Sequence, residues 1–360
     1  MVSLRVIRVM RGSPTRRDLV LSRGIYGSLE IHAGTRTLLH IGVGGESLSI
    51  DPHIINNVKK IVFTSISREV NIDYIIKELS RLIARHGLGA KIYSITRYND
   101  RIVIPGTSLK GAVRSRLELL FKAVNYEVPS CFRLAGPARS SPAPKGTHGW
   151  RHQRIWPSSL ENREPSCNVS ATEYWEDIKV CIVCDMFGAP GLRSRVNFGN
   201  LEPISEVGAI RVGVLIKNRP IFFEFVDKDS MFKGVISIEG LSLEELGLLS
   251  IAMRLLEDKP ILIGRFKYVK HRVKKDNNVA EEWFGRLDIK PVRLRIPFYA
   301  EHSANLLKEN NIGYTRKGVE LVVENDVIRL LKLAEDTAKK KYGAYLGEID
   351  EVEELRKLHM

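Results

Sequence analysis

The chain has 360 residues, 44% of them hydrophobic, enough for one large domain or two smaller ones with a real core. Lys and Arg outnumber Asp and Glu by 56 to 42, a net charge of +14, and this excess points to a polyanionic partner such as nucleic acid. No apolar run approaches the ~20 residues of a membrane span, and the basic N-terminus lacks the apolar stretch of a secretory signal, so the expectation is a cytoplasmic protein with no membrane partner.

Residues 27–41 alternate polar and apolar side chains and predict a strand or hairpin, which Asp51-Pro52 breaks. Within 54–92, Ile72, Ile75, Ile76, Leu79, Leu82 and Ile83 have helical spacing. Residues 101–104 read as a strand end, and Pro105-Gly106 punctuates it. Thr107 or Ser108 is placed to cap a helix carrying Leu109, Ala112, Val113, Leu117, Leu120, Phe121 and Val124 on one face. Lys110, Arg114 and Arg116 load its first turns with positive charge, where the helix dipole favours acids; that makes a seat for an anion. Gly106 and Gly111 have P-loop spacing, but Ala112 and Val113 follow instead of Lys and Ser/Thr, which excludes that motif.

Residues 125–180 change character. Between Cys131 and Ser166 there are five prolines, six Lys/Arg and two Glu, the composition of a long loop. Cys181-x-x-Cys184 is half of a zinc site with good spacing. Cys131 and Cys167 complete a four-cysteine set, and His148 or His152 in place of Cys131 makes a three-cysteine, one-histidine set. Either would be a structural zinc site that orders the loop, a better fit to a cytoplasmic chain than a disulfide.

Residues 209–216 and 232–238 are β-rich, with a short apolar run at 221–226 between them, and read as a hairpin with an irregular middle. Ser242-Leu243-Glu244-Glu245 is a capping box opening a helix to about Leu256. Residues 260–264 are a short strand, 284–296 a longer one, and 326–342 a helix with Gly343 as its cap. Residues 348–360 are a terminal helix or tail. The order of 26–41, 108–124, 209–216, 232–238, 242–256 and 284–296 is β-α-β-β-α-β, the pattern of an α+β, ferredoxin-like domain. One domain over 1–360 would then carry insertions at 46–100 (a helical lobe), 125–200 (a zinc-binding lobe) and 265–282 (a basic hairpin or loop).

The last insertion is the most basic part of the chain. Arg265, Lys267, Lys270, Arg272 and Lys274 surround Phe266 and Tyr268 with no acid before Lys275. Cations meet phosphates and rings stack on unpaired bases. Arg193 and Arg195, after Gly191, are a further cationic pair.

The run Ile104-Pro105-Gly106-Thr107-Ser108-Leu109-Lys110-Gly111-Ala112-Val113-Arg114 closely resembles the signature of the CRISPR-associated RAMP superfamily. Cys181-Ile182-Val183-Cys184-Asp185-Met186-Phe187-Gly188, followed by Arg195-Val196-Asn197-Phe198-Gly199-Asn200, is similar to the cysteine stretch of its type III subunits. Leu38-Leu39-His40-Ile41-Gly42-Val43-Gly44-Gly45 is similar to the end of the family's first hairpin. The resemblance implies a ferredoxin-like (RRM-like) core and a guide-RNA-binding (crRNA-binding) subunit of a type III interference complex in antiviral defence. Its partners would be guide RNA, target RNA and other CRISPR-associated subunits, with Ser108, Lys110 and Arg114 against the guide backbone. A subunit that holds RNA without reading it contacts phosphates and sugars. Some relatives cut target RNA through an aspartate after the first hairpin; Asp51 is the nearest here, and a turn before Pro52 also explains it. An endoribonuclease acting on target or precursor RNA, with His32, His40 or His53 as acid and base, and an end-capping subunit are the alternatives.

Overall fold

Ile25–Thr35 buries Ile25, Leu29, Ile31, Ala33 and Thr35 and leaves the residues between them partly exposed, the period of two that turns one face of a strand into a core. In the computed structural model, which describes residues 6–49, 52–67, 71–86, 90–133, 143–170, 172, 174–275 and 278–359, this strand lies inside a sheet. The order is Thr315–Lys317, Glu320–Val323, Arg286–Pro297, Ile25–Thr35, Met231–Leu241, Val196–Phe198. Every neighbouring pair is antiparallel.

Two helices connect these strands. Ile25–Thr35 leads through the Gly106–Leu120 helix to Val196–Phe198, and Met231–Leu241 leads through the Leu243–Met253 helix to Arg286–Pro297. Leu109, Val113 and Leu117 of the first helix and Leu246, Leu249 and Met253 of the second join the strands' buried side chains in one core. The capping box is present as expected: Ser242 Oγ accepts from the Glu245 N–H at 3.3 Å, and a Glu245 carboxylate oxygen accepts from the Ser242 N–H at 2.9 Å. Gly247 lets this helix lie against Val327–Tyr342, since a Cβ there would collide with the Ala334 carbonyl.

Three expectations need correction. Neither Thr107 nor Ser108 caps the Gly106–Leu120 helix; Pro105 holds the cap position with no side-chain bond, its fixed φ suiting a helix start. Residues 209–216 do not pair with 232–238. Ala209–Ile216 pairs with Arg219–Val226 through the two-residue turn Lys217-Asn218, both at positive φ, the tight geometry that matches strand twist. That hairpin belongs to a second sheet, in the order Asn278–Glu282, His271–Lys275, Ala209–Ile216, Arg219–Val226, Ala90–Ile95, Gly42–Ser49. The strand beside Met231–Leu241 is therefore Val196–Phe198. Gly343 continues into a 3-10 turn with right-handed backbone instead of ending the helix as a left-handed cap.

The second sheet has its own core of Val212, Val214, Phe223, Phe225, Val273 and Phe284. Helices Pro52–Ser67 and Ile72–His86 lie between its strands Gly42–Ser49 and Ala90–Ile95 in the chain. Among the described residues, no helix is long and apolar enough to cross a membrane.

Candidate metal centre and nucleic-acid interface

Four cysteines distant in sequence meet beside the Gly106–Leu120 helix. Cys181 is the N-cap of the short Ile182–Phe187 helix, and its sulfur accepts the Cys184 N–H at 3.4 Å. Cys167 Sγ accepts the Cys181 N–H at 3.3 Å. All four thiols are buried and unbridged, and their sulfurs lie within 4.8 Å of one another. Cys131 Sγ is 3.5 Å from Cys184 Sγ and 3.6 Å from Cys181 Sγ. Thiolates placed tetrahedrally at ~2.3 Å from a zinc ion are about 3.8 Å apart, so the set fits such an ion. Crowding divides the thiols. Hydrogen bonding to Cys131, then to Cys181 and Cys184, holds Cys167 below the usual thiol range, while hydrogen bonding to Cys131, then to Cys167 and Cys181, pushes Cys184 up. His152 is not in the group; its ring stands edge-on to Tyr268 at 5.3 Å. The His148 side chain lies outside the described residues.

Arg114 belongs to this centre. Its guanidinium donates to Cys184 Sγ at 3.2 Å, to the Gly188 carbonyl at 2.7 Å and to Glu118 Oε1 at 2.7 Å. A donor aimed at a sulfur stabilises its thiolate form and fixes its direction. With all three nitrogens engaged by protein groups, Arg114 is held as a support of the cysteine centre in this structure. Glu118 is buried too, and burial pushes its carboxyl up against the pull of Arg114.

Arg195 is likewise held by protein groups. Its side chain is 0% exposed and pairs with Asp185 at 2.6 Å and with Glu245. Asp185, the residue after Cys184, also takes Arg17 at 2.7 Å and the Thr15 hydroxyl at 2.9 Å. The Asp185–Arg195–Glu245 group thus ties the cysteine loop and the N-terminal segment to the capping box of the Leu243–Met253 helix. Sequence reasoning missed this group; the capping-box Glu245 and the acid following the second cysteine were its signals. Arg193 is half-exposed and paired with Glu239.

Lys110 behaves differently from Arg114, one turn away. It is half-buried, and among the described residues it has no carboxylate or hydrogen-bond partner. Burial, then the charge of Arg114, lowers its ammonium from the ordinary value. A partly desolvated, uncompensated cation at a helix start is a place where an anion is favoured. Ser108 sits beside it, partly exposed, its N–H donating to Pro105 O at 3.0 Å.

In the basic stretch, His271–Lys275 and Asn278–Glu282 form a hairpin. Arg265, Arg272 and Lys274 are exposed, and none has an acidic partner among the described residues. Lys270 pairs with Glu281 at 3.1 Å. Lys267 is half-buried against the Tyr268 ring at 5.4 Å, and burial pushes its ammonium down to about 8. Asp51 lies outside the described residues.

The chain matches the model of the RAMP superfamily over residues 35–290. No curated protein matches it.

Proposed function

The chain belongs to the RAMP superfamily, and from there we propose that it is a guide-RNA-binding subunit of a type III CRISPR interference complex. The superfamily implies a CRISPR-associated, RNA-binding role with RNA and other CRISPR subunits as partners. The type III assignment leans on the cysteine stretch and on the four thiols, read as a structural zinc site. The antiparallel order Arg286–Pro297, Ile25–Thr35, Met231–Leu241, Val196–Phe198, with the Gly106–Leu120 and Leu243–Met253 helices sharing its core, supports a ferredoxin-like core. Unbridged cysteines suit a reducing, cytoplasmic setting.

The observation that carries RNA binding is the division of cations. Arg114 and Arg195 are engaged inside the protein, while Lys110, Arg265, Arg272 and Lys274 have no ion-pair partner among the described residues. Free cations on a helix start and a hairpin suit contact with phosphates and sugars, leaving base edges unread. Zinc would supply no chemistry beyond holding the 131–184 loop. The purified protein is expected to bind single-stranded RNA at low salt, with affinity falling linearly in log salt. Lys110→Ala is expected to weaken binding and flatten that slope by about one phosphate contact. Absence of RNA affinity at low salt, or unchanged affinity and slope in the variant, overturns the proposal.

A further inference from the structure

A cavity of about 240 Å3 opens at the edge of the second sheet, beside Gly42–Ser49 and Ala90–Ile95, lined by His40, Gly42, Gly44, Gly45, Tyr93 and Arg265. It is smaller than the roughly 300–1,000 Å3 of drug-sized pockets and matches the scale of one sugar-phosphate unit. Two of its polar side chains, His40 and Arg265, are carried by segments that the backbone ties together. The Arg265 N–H donates to the His40 carbonyl at 3.0 Å, and Gly264, at positive φ, lets the two segments touch.

Each side chain presents one kind of hydrogen-bonding group. His40 Nδ1 lies 2.7 Å from the Glu224 carbonyl. A carbonyl only accepts, so Nδ1 carries the proton and Nε2 of a neutral ring keeps its lone pair. Burial, the main influence, lowers the His40 pKa, which keeps the ring neutral. Among the described residues nothing donates to Nε2. Arg265 lies over the Tyr93, Phe223 and Phe266 rings at 5.1, 4.9 and 5.2 Å, and no described carboxylate pairs with it. The nearby Glu224 carboxylate is already taken by Arg97 at 2.8 Å. Gly44 and Gly45 have nothing within 4 Å of where a Cβ would stand, so the space beside them is open.

We infer that this cavity is a ribonucleotide subsite, where His40 Nε2 accepts a hydrogen bond from a ribose 2′-OH and Arg265 holds the adjoining phosphate. The inference deepens the RNA-binding reading and rests on it. A phosphodiester has no hydrogen to give to Nε2, and deoxyribose lacks the hydroxyl, so the acceptor-plus-cation pair distinguishes RNA from DNA.

The test is fluorescence anisotropy at low salt with a short RNA, the same sequence as DNA, and RNAs carrying one 2′-deoxy position at a time. The wild-type protein is expected to prefer RNA by roughly three- to tenfold, the worth of one hydrogen bond, with the preference localised to few positions. His40→Asn, which keeps a donor for the Glu224 carbonyl but lacks Nε2, is expected to bring the RNA-to-DNA ratio near one. Arg265→Ala is expected to weaken both and leave the ratio. Equal wild-type affinity for RNA and DNA overturns the inference and leaves RNA binding standing, and it does so without any variant having to fold. An unchanged preference in folded His40→Asn does the same. Competition by adenosine 5′-monophosphate as strong as by RNA, nucleotide for nucleotide, marks a free-nucleotide site and also overturns it. No binding to either polymer defeats the RNA-binding reading itself.

Discussion

The cysteine loop and the basic hairpin are both rich in Lys and Arg, yet the folded chain treats their charges in opposite ways. Around the cysteines, Arg195 sits between Asp185 and Glu245, Arg114 reaches Cys184 and Glu118, and Arg163 is buried, donating to the Glu118, Ser130 and Phe121 carbonyls. On the hairpin, Arg272 and Lys274 are exposed, and neither is ion-paired among the described residues, although Glu281 stands opposite Arg272 in the strand register. Whether an arginine is structural or available depends on whether a distant carboxylate or carbonyl reaches it. Charge count along the sequence carries no information about that.

The sharpest way to break this comparison is to dismantle the cysteine centre. Cys184→Ser removes one thiol of the set proposed to hold zinc and the atom to which Arg114 donates. Structural zinc sites contribute much of a small lobe's folding energy, so the expected loss is on the order of 5 kcal/mol, with one zinc per chain lost from elemental analysis. Prolonged chelation should lower the melting temperature in the same direction. A wild-type protein that contains no zinc and melts unchanged in chelator would remove the metal from this account.

Arg195→Ala comes next. It leaves the Glu245 carboxylate buried without its cation and Asp185 with Arg17 alone, a defect worth about 3–5 kcal/mol. Its partner experiment is Arg193→Ala, two residues away. Arg193 is 58% exposed at its side chain, and a surface pair of that kind contributes about 0–1 kcal/mol. Chemical denaturation of the two variants should therefore differ by several kcal/mol despite their shared sequence context. Equal losses would mean that burial does not separate these arginines.

Much of the scaffold was legible because its signals are local. Alternation marks Ile25–Thr35 and Met231–Leu241, Ser242 and Glu245 mark a helix start, and Cys181-x-x-Cys184 marks a metal-type pair. The second sheet was not legible, because its strands come from four separate stretches and strand partners leave no trace in local periodicity. The short Val196–Phe198 strand was hidden for a related reason: three residues are too few to show a period. At the site, cysteine spacing found all four sulfurs. The intramolecular partners of Arg114 and Arg195 were not legible, because Cys184 and Glu245 are brought close only by the tertiary fold.

Lys267 tests the comparison within the basic stretch, since it is partly withdrawn from water and its charge is perturbed by burial. Its ammonium falls to about 8 from ~10.4 in an unfolded chain, chiefly through burial. Between those values the unfolded chain binds more protons, so stability rises with pH. The cost of burying the charge is complete below pH 8 and is relieved as pH climbs toward 10.5. Lys267→Met should therefore stabilise the protein at pH 7 by about 1 kcal/mol, allowing for partial exposure, and the gain should shrink above pH 8. A gain that is constant with pH would trace to packing instead of charge.

The smallest effect on stability, and the cleanest on binding, is expected from Arg272→Ala combined with Lys274→Ala. Neither side chain has a partner to lose, so denaturation should shift by less than about 0.5 kcal/mol. If both meet phosphates, the slope of log affinity against log salt should flatten by about two contacts, while Arg193→Ala, whose cation already has Glu239, leaves it nearly unchanged. A double variant that keeps the wild-type slope would show that solvent-facing charge is not sufficient for contact. The hairpin would then be a solvated face, and Lys110 the cation on which RNA binding mainly depends.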